Sequence, residues 1–218
     1  MSAAASRLVL PADALPRGRA YGLLLALVAP RPIGWITSRS ADGVLNLAPF
    51  SFFNGVCGDP PTISVAVARR EDGSRKDTAR NALASGEFVV HLVERGHLDD
   101  VVASSWSFPP SVGEVERLGL ETAPGACLAT PGLAAPRARM ECRLVGHHEV
   151  GNGPVDLLLG EVVAFHVAPE LLDERGRVRA TELEQVGRLG GWWYAPVVER
   201  WELPPPREAP GPAPDRAP

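Results

Sequence analysis

Through the middle of the chain, apolar positions fall in short runs separated by turn residues, the spacing of strands rather than of long helices. Thr62-Ile-Ser-Val-Ala-Val-Ala68 alternates β-branched and small residues, and Glu87-Phe-Val-Val-His-Leu-Val93 is a second such run; both read as buried strands. Residues 33–38 and 44–47 flank Ser40-Ala-Asp-Gly43, a hairpin turn in which Gly43 supplies the positive φ. Residues 137–150 and 155–167 predict a long hairpin around Gly151-Asn-Gly-Pro154. Helical composition is confined to 77–85, with Asp77 as N-cap and Gly86 as stop, and to 97–105. Short strands, turn signals and few helices predict a mainly β fold, an antiparallel barrel rather than a doubly wound sheet.

The ends of the chain differ from its middle. Residues 1–20 form a leader of small residues with weak periodicity, and the stretch from Leu203 on is Pro-rich. Such a tail can neither donate ladder hydrogen bonds nor form a helix, so residues 203–218 are expected to be disordered. Residues 21–202 read as one continuous domain without internal repeats. Arg17 and Arg19 followed by the apolar run 21–29 have the outline of a signal peptide. The run is too short to span a bilayer, begins late, meets Pro30 just after the best cleavage point, and leads straight into the strand Pro32-Ile-Gly-Trp-Ile-Thr37. It is therefore read as core, and the protein as cytoplasmic, with no membrane partner.

A chain of 218 residues, 45% hydrophobic and 22% charged, has the size and composition of an ordinary soluble domain. Its formal charge of -4 argues against a nucleic-acid partner, because phosphate-backbone binding calls for a basic surface. Cys57, Cys127 and Cys142 lack metal-site spacing and fit a reducing compartment; they read as buried small hydrophobes.

Common catalytic motifs are missing: no G-x-S-x-G elbow, no P-loop, no G-x-G-x-x-G between a strand and a helix. His147 and His148 are adjacent on a strand and point to opposite faces. Cys142 and His148 share a face but lie roughly 20 Å apart along it. No metal site is predicted.

The informative region runs from residue 31 to 81. Asn46-Leu-Ala-Pro-Phe-Ser-Phe-Phe-Asn54 leaves a strand, and regular structure is expected to break at Pro49. A sheet edge of this kind offers backbone donors and acceptors to a flat heterocycle; a plain strand ending with Pro49 as terminator reads equally well. Downstream, Arg69-Arg-Glu-Asp-Gly-Ser-Arg-Lys-Asp-Thr78 opens a helix. Arg70, Arg75 and Lys76, with the hydroxyls of Ser74 and Thr78, surround a helix N-terminus, which suits a phosphate group. A solvated polar loop before a capped helix is the alternative.

Together these segments resemble the flavin reductase-like family, whose fold is an FMN-binding split barrel. The resemblance is carried by Pro30-Arg-Pro-Ile-Gly-Trp-Ile-Thr-Ser38, Asn46-Leu-Ala-Pro-Phe-Ser51, Pro60-Pro-Thr-Ile-Ser-Val65, Lys76-Asp-Thr78 with Asn81, Glu87-Phe-Val-Val90, and Arg188-Leu-Gly-Gly191 followed by Tyr194. It spans residues 21–194, and the order and spacing of the motifs are more specific than any one of them. It implies a Greek-key split barrel, a homodimer, and FMN near the subunit interface. On this sequence it implies that Trp35, Thr37 and Ser38 line the flavin. Asn46, Leu47, Ala48, Pro49, Phe50 and Ser51 would supply main-chain contacts to the ring. Ser74, Lys76, Asp77 and Thr78, with Arg70 or Arg75, would hold the phosphate.

Hydride transfer between nicotinamide and flavin needs no acid–base dyad, so the lack of an obvious catalytic residue is compatible with enzyme activity. The leading expectation is a reductase using NADH or NADPH, feeding reduced FMN to a separate monooxygenase. An FMN-carrying protein without nicotinamide activity and a binding module without flavin are the alternatives. Trp192-Trp-Tyr194 reads as flavin contact, core or dimer interface, and Ser105-Trp-Ser-Phe-Pro-Pro110 as a connecting loop rather than a lid.

Overall fold

Along the chain of this computed structural model run α1 (Arg17–Leu27), β1 (Gly34–Arg39), β2 (Leu45–Phe50), β3 (Phe53–Gly58), β4 (Pro61–Ala68), α2 (Asp77–Ser85), β5 (Glu87–Leu92), α3 (Leu98–Ala103) and α4 (Glu114–Arg117). There follow β6 (Thr122–Ala123), β7 (Gly132–Leu133), β8 (Ala138–Val150), β9 (Val155–Val167), β10 (Val186–Arg188) and β11 (Tyr194–Pro196). The structure describes residues 7–197 with Glu199, Trp201 and Leu203; the Pro-rich tail from 204 and the first six residues of the leader lie outside the described residues.

Seven strands make one antiparallel sheet in the order β2-β1-β5-β8-β9-β4-β3. Its two edge strands, β2 and β3, are separated in sequence by only Ser51 and Phe52. Laid flat, seven strands would hold those edges roughly 29 Å apart at ~4.8 Å per strand, a gap that link cannot cross at ~3.5 Å per residue. The sheet must therefore curl until its edges meet at this link, and the Ala66 amide, donating to the Phe52 carbonyl at 2.9 Å, carries the β3–β4 ladder on to it. This is the expected barrel.

Curling buries both faces of β1. Ile36 faces a barrel interior filled by Phe50, Val65, Val67, Phe88, Val90 and Leu158, with Ala79 and Ala82 of α2 packed against it. Trp35 faces a second cluster outside the barrel, with Leu47, Val93, Val101 and Val115. The long hairpin, the Gly43 turn (φ 87°) and the Gly86 stop (φ 75°) fall where the pattern places them.

Several expectations need correction. Pro49 does not end its strand: β2 continues to Phe50, with Pro49 opposite Trp35. Leu47, two residues earlier, sends its N–H away from β1 to the Glu114 carboxylate at 2.9 Å. Backbone groups alternate sides along an antiparallel strand, so Pro49 shares that outward phase and leaves no ladder bond unmade. Lys76, not Asp77, is the N-cap of α2; Asp77 is its first helical residue. The second helix is shorter than expected, a single 3-10 turn at Arg95–His97 followed by α3.

The apolar run 21–29 is not core. It lies mostly in α1, which crosses the expected boundary at residue 20 and buries none of its residues. Its apolar side chains are spread round the helix, so no single face can dock. What fastens α1 is the buried Arg31 guanidinium, which donates to the carbonyls of Leu25 and Val28, both at 2.6 Å, and of Leu189 at 2.8 Å. Among the cysteines only Cys142 is buried; Cys57 and Cys127 are exposed. Among the described residues, no helix is long and apolar enough to cross a membrane.

His91, wholly buried on β5, ties three strands. Its Nδ1 donates to the Trp35 carbonyl at 2.7 Å, and its Nε2 accepts from the Leu133 amide at 2.8 Å. With an acceptor on one side and a donor on the other, the ring is held neutral, and burial pushes its pKa from 6.5 down to about 3. Between those values the unfolded chain binds a proton that the folded one refuses. The stabilisation is complete above pH 6.5 and declines as pH falls toward 3, at up to about 1.4 kcal/mol per pH unit. Urea unfolding should show a shallower acid loss in His91→Asn than in the wild type; equal slopes would contradict this.

Candidate functional site

Outside the free edge of β2 lies a cleft of about 120 Å³. Ala48, Pro49 and Phe50 form one wall, Lys76, Asp77 and Thr78 at the start of α2 a second, residues 104–108 a third, and Glu114 of α4 closes it. An adjoining hollow of about 690 Å³ shares Arg70, Ser107 and Phe108 and adds Asp72, Ser74 and Arg75. In the outward phase of β2, the carbonyls of Leu47 and Pro49 point away from β1 toward this side.

Behind the cleft runs a chain of buried polar groups. Asn46 Nδ2 donates to Thr78 Oγ1 at 2.8 Å and to Ser38 Oγ at 3.2 Å, and Asn81 Nδ2 donates to the same Ser38 oxygen at 3.3 Å. Edge strand, β1 and the start of α2 are thereby locked in register. Trp35, Thr37 and Ser38 stand one strand back and do not line the cleft. Trp35 acts on it indirectly, donating from Nε1 to Ser104 Oγ at 2.9 Å and so anchoring the wall 104–108. Thr37 donates to the Pro131 carbonyl at 2.8 Å. The Leu47 side chain is core, and Ser51 turns to Arg31, whose Nε donates to its hydroxyl at 3.3 Å.

The three expected phosphate cations are in different states. Arg75 is turned to the β8–β9 hairpin, where it donates to Asp156 at 3.0 Å and Glu149 at 2.7 Å. Arg70 is paired with Asp77 at 2.5 Å, and Asp77 also holds Arg80. Lys76 lines the cleft, is exposed, and has no ionic partner among the described residues. The nine-residue α2 starts with no side chain capping its amides. Its first N–H groups and the positive end of its dipole are thus open to an anion, beside the Thr78 hydroxyl and the Lys76 ammonium.

A flat heterocycle carrying a phosphate fits this set: edge carbonyls for the ring, and an uncapped helix start with a lysine for the phosphate. The hollow beyond gives room for the rest. Sequence reasoning missed Glu114, a lone acid in a short helix without periodicity. Its carboxyl is buried, and burial pushes its pKa up. Gly113 makes its position possible, since a Cβ there would lie 2.8 Å from the Leu45 carbonyl oxygen. Residues 105–110 read as a connecting loop; 105–108 of it, with Ser104, wall the cleft, and Trp106 is exposed.

Elsewhere, His147, Glu149 and Asp156 bring their ligand atoms within 4.8 Å of one another. Those atoms are engaged by Arg69 and Arg75 and by the His147–Asp156 bond of 2.8 Å. Burial works to raise the Asp156 pKa, but donors from Arg69, His147 and Arg75 hold it at about 2. Trp192 and Trp193 are 90% and 73% exposed, so neither is core, while Tyr194 packs under Arg188.

Residues 27–182 match the family described as flavin reductase like domain. An uncharacterized protein of Halalkalibacterium halodurans is 40% identical over 195 residues, 88% of this chain and 93% of its own. The solved structure of nitrilotriacetate monooxygenase component B from Bacillus cereus is 38% identical, with a TM-score of 0.88 over 92% of this chain and 100% of that one. That of 2-nitrobenzoate 2-nitroreductase NbaA from Pseudomonas fluorescens is 30% identical, with a TM-score of 0.85 over 94% and 99%.

Replacing Asn46 by Ala removes the buried donor shared by Ser38 and Thr78. Chemical denaturation should register a loss of roughly 1–3 kcal/mol; an unchanged midpoint would mean the chain of polar groups does not hold the cleft together.

Proposed function

Because this chain belongs to the flavin reductase-like family and has its split-barrel fold, we propose that the cleft beside β2 binds FMN and that the protein is an oxidoreductase passing hydride from NADH or NADPH to it. The observation that carries this reading is the meeting, in one cleft, of an edge strand's outward carbonyls, an uncapped helix start and Lys76, which has no ionic partner among the described residues. When bound, the flavin supplies the two-electron acceptor. The residues of the chain do the rest. Ala48, Pro49 and Phe50 present the edge to the ring, and Thr78, Lys76 and the first amides of α2 hold the phosphate. The buried Ser38–Asn46–Thr78 chain fixes the distance between those two subsites. Residues 104–108, anchored through Trp35, keep water from one side of the ring.

On 38% identity to nitrilotriacetate monooxygenase component B, we further propose that the reduced flavin serves a separate monooxygenase, in the cytoplasm. Two copies pair in this reading. An apolar groove of about 400 Å³, with Phe53, Val90, Met140, Phe165, Val178 and Val186 among its lining residues, lies apart from the β2 cleft and shares none of its lining residues, and Phe165 is 61% exposed. Apolar surface of this kind is more often covered than left in water. Light scattering should give twice the 23.2 kDa chain mass for the wild type and the single chain mass for Phe165→Asp; a monomeric wild type would refute pairing.

The activity is tested by supplementing purified protein with FMN, desalting it, recording its absorbance, and then adding NADH or NADPH without oxygen. Retained flavin bands that bleach with either nicotinamide are the expected result. Bands that stay oxidised would leave an FMN carrier, and no bands would refute tight flavin binding, leaving weak binding or a module without flavin. Replacing Lys76 and Thr78 together by Ala should weaken FMN affinity by about tenfold or more, the scale of lost charge-assisted bonds; unchanged affinity would remove the phosphate from this end of the cleft.

A further inference from the structure

Glu114 is the one carboxyl in the cleft without a cationic partner among the described residues. Its Oε2 accepts from the Leu47 amide at 2.9 Å, and its Oε1 makes no hydrogen bond to another of the described residues. The donor it occupies belongs to the same strand edge that the proposed function gives to the heterocycle. The carboxyl therefore stands where the ring's rim must come.

Its surroundings decide its form. β2 and residues 104–108 bring no charged group to it. From the start of α2 and the loop before it come Asp77 and Arg70, which are paired with each other at 2.5 Å, and Lys76. On α4 itself Glu116 and Arg117 are exposed. The nearby charges largely cancel, and burial in a narrow cleft favours the uncharged acid. An aromatic ring laid against the carboxyl would strip it of its remaining water and add to that preference.

We propose, on the reading that this cleft binds flavin, that Glu114 receives the ring as the neutral acid, donating a hydrogen bond from one carboxyl oxygen to an acceptor on the rim while the other keeps the Leu47 amide. Ionised, the same carboxylate can only accept, and it repels both the ring's acceptors and any negative charge the ring gains on reduction. Glu114 thus makes flavin affinity fall as pH rises.

The test measures the Kd of FMN by fluorescence quenching for the wild type and Glu114→Gln from mildly acid to mildly alkaline buffer, because burial raises this carboxyl's pKa. Gln can still accept from Leu47 and still donate to the ring. The ratio of the two Kd values cancels the phosphate's own ionisation. It should be near unity at the acid end and rise about tenfold toward the alkaline end, the scale of one buried hydrogen bond lost. Calorimetry of the wild type with riboflavin, which has no phosphate, in two buffers of different ionisation enthalpy should show proton uptake on binding, whatever the variant does. A flat ratio, or binding without proton uptake, would overturn the role of Glu114 and leave the flavin site standing. No flavin binding by either protein at any pH would overturn the site and this inference together.

Discussion

The two-residue link between the sheet's outermost strands is the constraint from which the rest follows. Because β2 and β3 are opposite edges yet nearly continuous in sequence, the sheet has to close, and what joins its edges is the chain at Ser51 and Phe52 rather than a ladder. β2 is left with one unpaired side. An exposed edge is ordinarily a hazard, a template for pairing with another chain. Here it is covered by α4, the start of α2 and residues 104–108, which meet it with side chains instead of a strand. That substitution leaves a cleft lined by backbone acceptors.

Electrostatics then divides the arginine-rich segment before α2 between two tasks. Arg69 and Arg75 join β4 and the helix start to the β8–β9 hairpin through Asp156, whose fully buried carboxylate receives three cationic or imidazole donors. Arg70 is spent on Asp77. Lys76, beside the open amides of α2, has no ionic partner among the described residues. Most of a run that reads as one phosphate-binding cluster serves in the folded protein as a set of braces that place Lys76.

Much of this was legible in the sequence where the signal is local. The β8–β9 hairpin follows from alternating residues around a Gly-Asn-Gly turn, and α2 from composition and its glycine stop. The barrel followed from many short strands and from the family resemblance. The failures have one cause: they depend on partners distant in sequence. Pro49 reads as a terminator until its phase relative to β1 is known. The run 21–29 reads as core until the helix proves to have no single apolar face. Glu114 carries no pattern at all, and it matters only because folding sets it 67 positions from its own place in the chain, against Leu47. What the motif around Trp35 does not carry is its bond to Ser104, 69 positions away, by which it anchors one wall of the cleft.

The central claim is that the free edge of β2 and the start of α2 together form the flavin site. Crystals grown with FMN test it most directly. The account predicts ring density along Ala48–Phe50 and phosphate density at Lys76, Thr78 and the first amides of α2. Flavin density in the apolar groove beside Phe165, with the β2 cleft filled by its own side chains, would contradict it.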